Sequence, residues 1–344
     1  MFRVVAYTYR EFSRMQNQFP LLLAVVALLV DIYRPFVVRA EEPRRIQTAI
    51  TSVDVTYTNF YVAERQGFFK EQNIFNELVV MRSAARQIQA LVAGSVEVSV
   101  QAPDPLVRAV EKGADLVMLS GVVNAPTYDL VAGKKYRSIE ELRGTTLGVS
   151  GINSSSTLLL QEMLSAHGLS YPRDYNLIEV GGTNLRWAAI QSGVVSAGIL
   201  TPPFSYLAAE QSFSMLGDLR EYVPEVQFAA VSVRRPWAHQ NPRLVEDYLA
   251  ALLKANRYIY ENKPGTLAVI RNTFKVKPEY AERVYEYWVN NRVTPIDGAM
   301  TVKGTEVVLN ILERLGDFKG KARPKAEKYI DSDFIAQARS RPSQ

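Results

Sequence analysis

Residues able to do covalent chemistry are scarce in this chain. Cysteine is absent and histidine occurs twice, so there is no thiolate nucleophile and no thiolate metal ligand. His167 sits in the run LSAHGL, where attraction to a helix C-terminus is the simpler role. His239 stands beside Trp237 and Asn241 and reads as a surface or capping residue. No HExxH, GxSxG or P-loop spacing occurs. A catalytic site, a cofactor and a metal are therefore not expected.

Binding chemistry is better supplied. In GVSGINSSSTLLLQEML, Gly148 to Leu164, a short apolar run hands over to Asn153, Ser154, Ser155 and Ser156 and then to a helix-like stretch. Asn and Ser at that place cap the first free N–H groups of a helix. The same N–H groups also attract an anion, and the residues alone leave both roles open. In GGTNLRW, Gly181 to Trp187, the glycines let backbone approach a ligand and Thr183 or Arg186 supply donors. A solvated helix position is the commoner fate of such an arginine.

The elements that must position these groups alternate. Ile46–Thr51 reads as a strand, Thr58–Gly67 as a helix closed by glycine, Leu78–Met81 as a strand. Ile88, Leu91 and Val92 mark one face of a helix stopping at Gly94, and Val96, Val98 and Val100 alternate as in a strand. This is the α/β pattern, mixed sheets flanked by helices. ALVAGSVEVSVQAPDPLVRA, from Ala90, also aligns with AIQSGVVSAGILTPPFSYLA, from Ala189, placing Gly94 over Gly193 and Pro103 over Pro202. The same offset carries the loop at Thr51 onto the serine loop at Ser150. Two similar lobes follow, each with a strand–loop–helix turn and a proline loop at the carboxyl ends of its strands, where open sheets bind ligands. The boundaries expected are 41–135 for the first part of lobe 1, 136–231 for lobe 2, and 232–344 for a return to lobe 1 through C-terminal helices. Stripes such as Leu244, Tyr248, Leu252 and Ile259, or Val308, Ile311, Leu312 and Leu315, suit packing on the first lobe.

Of the formal charge of +5, residues 1–40 carry +3. The remainder is too weakly basic for a phosphate-binding surface, so no nucleic-acid partner is expected. Basic residues lead into PLLLAVVALLV, too short to span a bilayer comfortably, and Val38 and Ala40 fit a small-residue cleavage pattern. The segment reads as a signal peptide cut near Ala40, with a start at Met15 or an uncut amphipathic anchor as alternatives. Without cysteine there is no lipid anchor of the thioether kind, which favours a soluble periplasmic protein.

In order and spacing, TNFYVAERQGFFKEQNI, IQALVAGSVEVSV, SIEELRGTTLGVS and AAIQSGVVSAGILTPP resemble blocks of the nitrate/sulfonate/taurine class of ABC-transporter solute-binding proteins, within the thiamine-pyrimidine-synthase-like superfamily. The resemblance covers roughly Ile46 to Arg235; EQNIFNEL departs from the commoner glycine-leucine-aspartate run of that class. It implies the two-lobed type II periplasmic binding protein fold, a cleft between lobes, lobe closure on a small solute, an ABC permease as partner, and a monomer. The enzymatic branch of that resemblance, a thiamine-pyrimidine synthase, uses cysteines that this chain lacks. A cysteine-independent precursor enzyme and a periplasmic ligand sensor remain the alternatives.

Placed on that fold, Ser150, Asn153, Ser154 and Ser155 face the cleft from lobe 2. The matching turn of lobe 1 supplies Ser52, Asp54, Tyr57 and Thr58, with Asp54 a helix cap, a partner for a ligand amine, or turned away from the ligand. Gln101 and Thr201 sit on the proline loops. Tyr57, Tyr128 and Phe204 fall in loops and suit stacking, whereas Phe60 and Tyr61 read as core. With Thr183 and Arg186 these residues suit a small organic carboxylate or sulfonate, an aromatic ring among the candidates for the rest of the solute.

Overall fold

The computed structural model describes residues 42–81 and 83–341; the expected signal segment, with the Met15 alternative, lies outside them. Among the described residues no helix is long and apolar enough to cross a membrane.

The short apolar runs assemble into two five-stranded sheets. The first holds β1 (Arg44–Ile50), β2 (Ile74–Val80), β3 (Val98–Gln101), β4 (Leu116–Val123) and β10 (Ala229–Arg234), in the order β2-β1-β3-β10-β4. The second holds β5 (Asp129–Ala132), β6 (Thr146–Val149), β7 (Asn176–Glu179), β8 (Ala197–Leu200) and β9 (Ser214–Asp218), in the order β7-β6-β8-β5-β9. In each, the fourth strand arrives from elsewhere in the chain and runs antiparallel to both neighbours. The internal repeat seen in the sequence thus has a structural counterpart: β3 and β8 begin 99 residues apart, at 98 and 197.

Helices fill the connections. The first lobe has α1 (Thr58–Arg65), α2 (Phe68–Glu71), α3 (Ala84–Ala93) and α4 (Asp104–Glu111); the second has α5 (Ser155–Ala166), α6 (Thr183–Gln191) and α7 (Phe204–Glu210). After β10 come α8 (Arg235–Gln240), α9 (Pro242–Glu261), α10 (Lys263–Phe274), α11 (Pro278–Asn290), α12 (Val302–Arg314) and α13 (Asp333–Ser340).

Four sequence expectations need correction. The chain leaves the first sheet after Val123 and enters the second at Asp129, so the first boundary falls before residue 135: Asp129 pairs with Leu200 in the second sheet. It is back in the first sheet by Ala230, opposite Gln101, so the return precedes 232. A short apolar strand such as DLVA fits either sheet, and only pairing decides. Strand β2 starts at Ile74 rather than Leu78, because Asn76 lies buried against β1, accepting from the Thr48 hydroxyl at 2.7 Å. Finally, α9, α10, α11 and α13 pack on the first lobe, but Val308, Leu309, Ile311 and Leu312 of α12 join a core cluster holding Leu159 and Leu160 of lobe 2 as well as Leu106 and Met118 of lobe 1. α12 therefore bridges the lobes.

The two crossovers are stitched together. Gln227, fully buried, donates from Nε2 to the Asn124 side chain (2.9 Å) and the Ala229 carbonyl (2.8 Å), while its Oε1 accepts from the Thr301 N–H (2.9 Å). Thr301 caps α12. At Gly304 the approach is so close that a Cβ would lie 2.5 Å from the Gln227 nitrogen, which leaves room for glycine alone.

Candidate functional site

Between the lobes lies a cavity of about 660 Å³, within the range of small-molecule sites. Its wall comes from both strand–loop–helix turns, from both proline loops and from both crossovers.

The first turn is built around Asp54. Its carboxylate accepts from the Thr56 N–H at 2.9 Å and from the Ser52 hydroxyl, capping the single 3₁₀ turn Val55–Tyr57. Asp54 is 3% exposed. Burial pushes its carboxyl above the usual range, opposed by the bonds from Ser52 and Thr56 and by the Arg186 charge. The Tyr57 hydroxyl is held by the Thr51 N–H (3.1 Å) and hydroxyl (2.7 Å).

The second turn is a web of hydroxyls. Ser154 is the N-cap of α5: its Oγ accepts from the Thr157 N–H at 3.3 Å and donates to the Gly151 carbonyl at 2.9 Å. Ser150 lies 2.7 Å from Ser156 and 3.0 Å from Ser154, oxygen to oxygen. Capping and an open polar surface thus share one loop, since Ser150, Asn153, Ser154, Ser155 and Ser156 all line the cavity.

Arg186 is not a solvated helix residue. It is 2% exposed, donates from Nε to the Ile199 carbonyl (2.8 Å) and from Nη1 to the Gly181 carbonyl (2.5 Å), and its guanidinium lies 5.7 Å from the Tyr128 ring centroid. Burial lowers its pKa; Tyr128 and Asp54 act against that. Burial likewise raises the Tyr128 phenol. The second lobe reaches the first here: a Cβ on Gly182 would stand 3.4 Å from the Ser52 Cβ, and the Val55 N–H points at the Pro202 carbonyl at 3.5 Å.

Ser52, Asp54, Tyr57, Gln101, Tyr128, Thr183 and Thr201 also line the cavity. Gln101 Nε2 and Thr201 Oγ1 are buried without a hydrogen-bond partner, a cost that a bound polar molecule can remove. Two expected residues lie elsewhere. Thr58 turns its hydroxyl back onto the Val55 carbonyl at 2.7 Å, as a residue opening a helix does. Phe204 is the first residue of α7 rather than a loop position, and packs against the small cluster of Val131, Trp187, Ile190 and Leu200.

Sequence reasoning missed Asp104, Arg108, Glu179 and Phe228 of the wall. Asp104 is 2% exposed and paired with Arg108 at 3.3 Å, one turn on, while the Arg108 fork also grips Asp317 at 2.9 and 3.0 Å. The i, i+4 spacing of Asp104 and Arg108 was the available signal. The wall carries three acids, Asp54, Asp104 and Glu179, and three bases, Arg108, Lys112 and Arg186, so formal charges balance and placement decides. Both histidines are elsewhere: His167 at the end of α5 bonds Glu140 (2.8 Å) and Tyr222 (2.7 Å), and His239 packs near Phe334. Among the described residues no group of three or more His, Asp or Glu could hold a metal ion.

The model of the family described as NMT1/THI5 like matches residues 54–264, more than half of the chain and the whole span from first turn to α10. The chain belongs to that family. A formylaminopyrimidine-binding protein of Halalkalibacterium halodurans is 22% identical over 241 residues, 67% of this chain and 72% of the relative. The periplasmic nitrate-binding protein NrtA from Synechocystis PCC 6803 superposes with a TM-score of 0.72 at 16% identity, over 86% of this chain and 88% of that one. The alkanesulfonate-binding protein SsuA from Xanthomonas axonopodis pv. citri, bound to MOPS, gives 0.68 at 18%, over 85% and 100%. At these identities the likeness speaks for the shared fold, that of periplasmic binding proteins.

Proposed function

We propose that the protein is the solute-binding component of an ABC importer, exported to the periplasm with residues 1–40 removed, and that its lobes close as a monomer on a small organic anion for delivery to an inner-membrane permease. The observation that carries this reading is the cavity itself, walled by both lobes and by both chain crossings, so that hinge motion opens or seals it. A solute touching both lobes shifts the population toward the closed state. The hydroxyls of Ser150 and Ser156 and the nearby Tyr128–Arg186 pair offer donors for a carboxylate or sulfonate. Binding rather than catalysis is supported by the lack of cysteine and by a cavity wall that includes neither His167 nor His239.

A thermal-melt screen of carboxylates, sulfonates and nitrate tests it, because a ligand held only by the folded state raises the melting temperature. Ser150→Ala with Ser156→Ala, which spares the Ser154 cap, is expected to weaken the best anion about fivefold to tenfold; unchanged affinity reduces the loop to capping. One observation favours a second reading. Asp54 is an acceptor on the wall, suited to a solute with N–H donors such as the aminopyrimidine in the relative's name. Melting shifts with neutral aminopyrimidines and none with anions would select it.

A further inference from the structure

Two aromatic rings meet where the lobes hinge. Tyr128 ends the outward crossover and Phe228 ends the returning one; their centroids are 4.8 Å apart at an interplanar angle of 58°. Both rings are half-buried, and both line the cavity. Their backbones are locked to the opposite crossing: the Leu219 N–H donates to the Tyr128 carbonyl at 3.0 Å, and the Phe228 N–H to the Val123 carbonyl at 2.9 Å. Phe228 packs against both large core clusters, and Gln227 pins the preceding residue. The rings are therefore fixed before any solute arrives, which spares the ordering cost of binding.

Fixed aromatic surface on the wall of this cavity suits a flat, polarisable partner better than a puckered one, since rings stack or meet edge-on at such distances. We propose that Tyr128 and Phe228 form the shelf on which the solute's ring rests, so that the site selects planar cyclic solutes over saturated or open-chain ones. This rests on reading the cleft as a solute site, and it adds the shape of the molecule to the charge discussed above.

The test compares benzoate with cyclohexanecarboxylate, and benzamide with cyclohexanecarboxamide, by calorimetric titration of the full chain, with butanesulfonate as an open-chain anion. The planar member of a pair is expected to bind about fivefold to tenfold tighter. Phe228→Leu and, separately, Tyr128→Leu should bring that ratio below about twofold, while Tyr128→Phe retains it. The wild-type comparison needs no variant, so a folding defect in either leucine variant leaves the proposal exposed. Equal or tighter binding of the saturated or open-chain solutes overturns the shelf and leaves the importer reading standing. A planar preference confined to the amides keeps the shelf and overturns the anion reading. Binding by neither planar probe overturns the shelf.

Discussion

The turns at Thr51–Tyr57 and Ser150–Ser156 occupy equivalent places in two sheets of the same strand order, yet they treat charge in opposite ways. The first carries its own carboxylate: Asp54 caps the 3₁₀ turn and lies buried within reach of the Arg186 charge on the other lobe. The second carries no charge, only the Asn153 carboxamide and hydroxyls capped by Ser154, with Ser150 and Ser156 left to share protons among themselves. A helix start always has unsatisfied N–H groups. Where a fixed carboxylate meets them, no further negative charge is welcome; where hydroxyls do, a negatively charged guest can still be received. One scaffold, used twice, yields a closed turn and a receptive one.

Breaking the link between the two turns should cost most. Arg186→Met strands the Gly181 and Ile199 carbonyls and leaves Asp54 without its opposing charge. A loss of about 3–5 kcal/mol in urea unfolding is expected, as for other buried charges deprived of a partner. The double variant with Asp54→Asn should lose less than the sum of the singles, since the two groups interact. Next comes the first turn alone: Asp54→Ala is expected to cost about 1–2 kcal/mol through the missing cap, read from the same urea transitions. Asp54→Asn sharpens the contrast through pH. The carboxyl is raised above its ordinary 3.8 in the folded state, so its contribution is complete below that value and is lost as pH rises through the raised one. An amide in its place does not titrate and has no such loss. The melting temperature of the Asp54→Asn variant relative to the native protein should therefore climb as pH rises above about 4. The smallest effect belongs to the second turn: Ser154→Ala should cost about 1 kcal/mol with no pH dependence in the carboxylate range, as nothing in that turn titrates.

A half-buried acid offers an independent comparison. Asp129 opens β5, and burial lifts its carboxyl to about 6, with Asp218 pushing the same way and Ser205, Arg220 and Arg283 opposing. By the same sign, Asp129→Asn should stabilise the protein above about pH 6 and leave it unchanged near pH 4, an effect on the order of 1–2 kcal/mol in melting curves at the two pH values.

Much of this arrangement was legible beforehand because local rules govern it. The alternation of strands and helices, the turn at Gly94 with its positive φ of 76°, and the repeat between the two proline loops follow from residue types at short range. The serine loop declared itself a helix start, and Ser154 is that cap. What was hidden depends on pairing across long stretches of chain. DLVA does not say which sheet it joins. Val92, on the face expected to be buried with Ile88 and Leu91, is 49% exposed, since the helix turns Leu91 inward and Val92 away. Arg186 looks like any charged helix residue until β8 and the Gly181 loop supply carbonyls for it. Phe228 was passed over because an apolar run near a strand reads as core, and only the second crossing brings it beside Tyr128.

The buried amide of Gln227 grips three separate passes of the polypeptide at one point, and the third of them belongs to α12, far along the chain. The segment from Thr301 onward thus serves as a splint across the flexure rather than as an appendage. A chain severed between α11 and Thr301 would retain both sheets and every residue of the cavity wall, yet its halves would swing unbraced, and the grip on a guest would slacken without any change in what the guest touches.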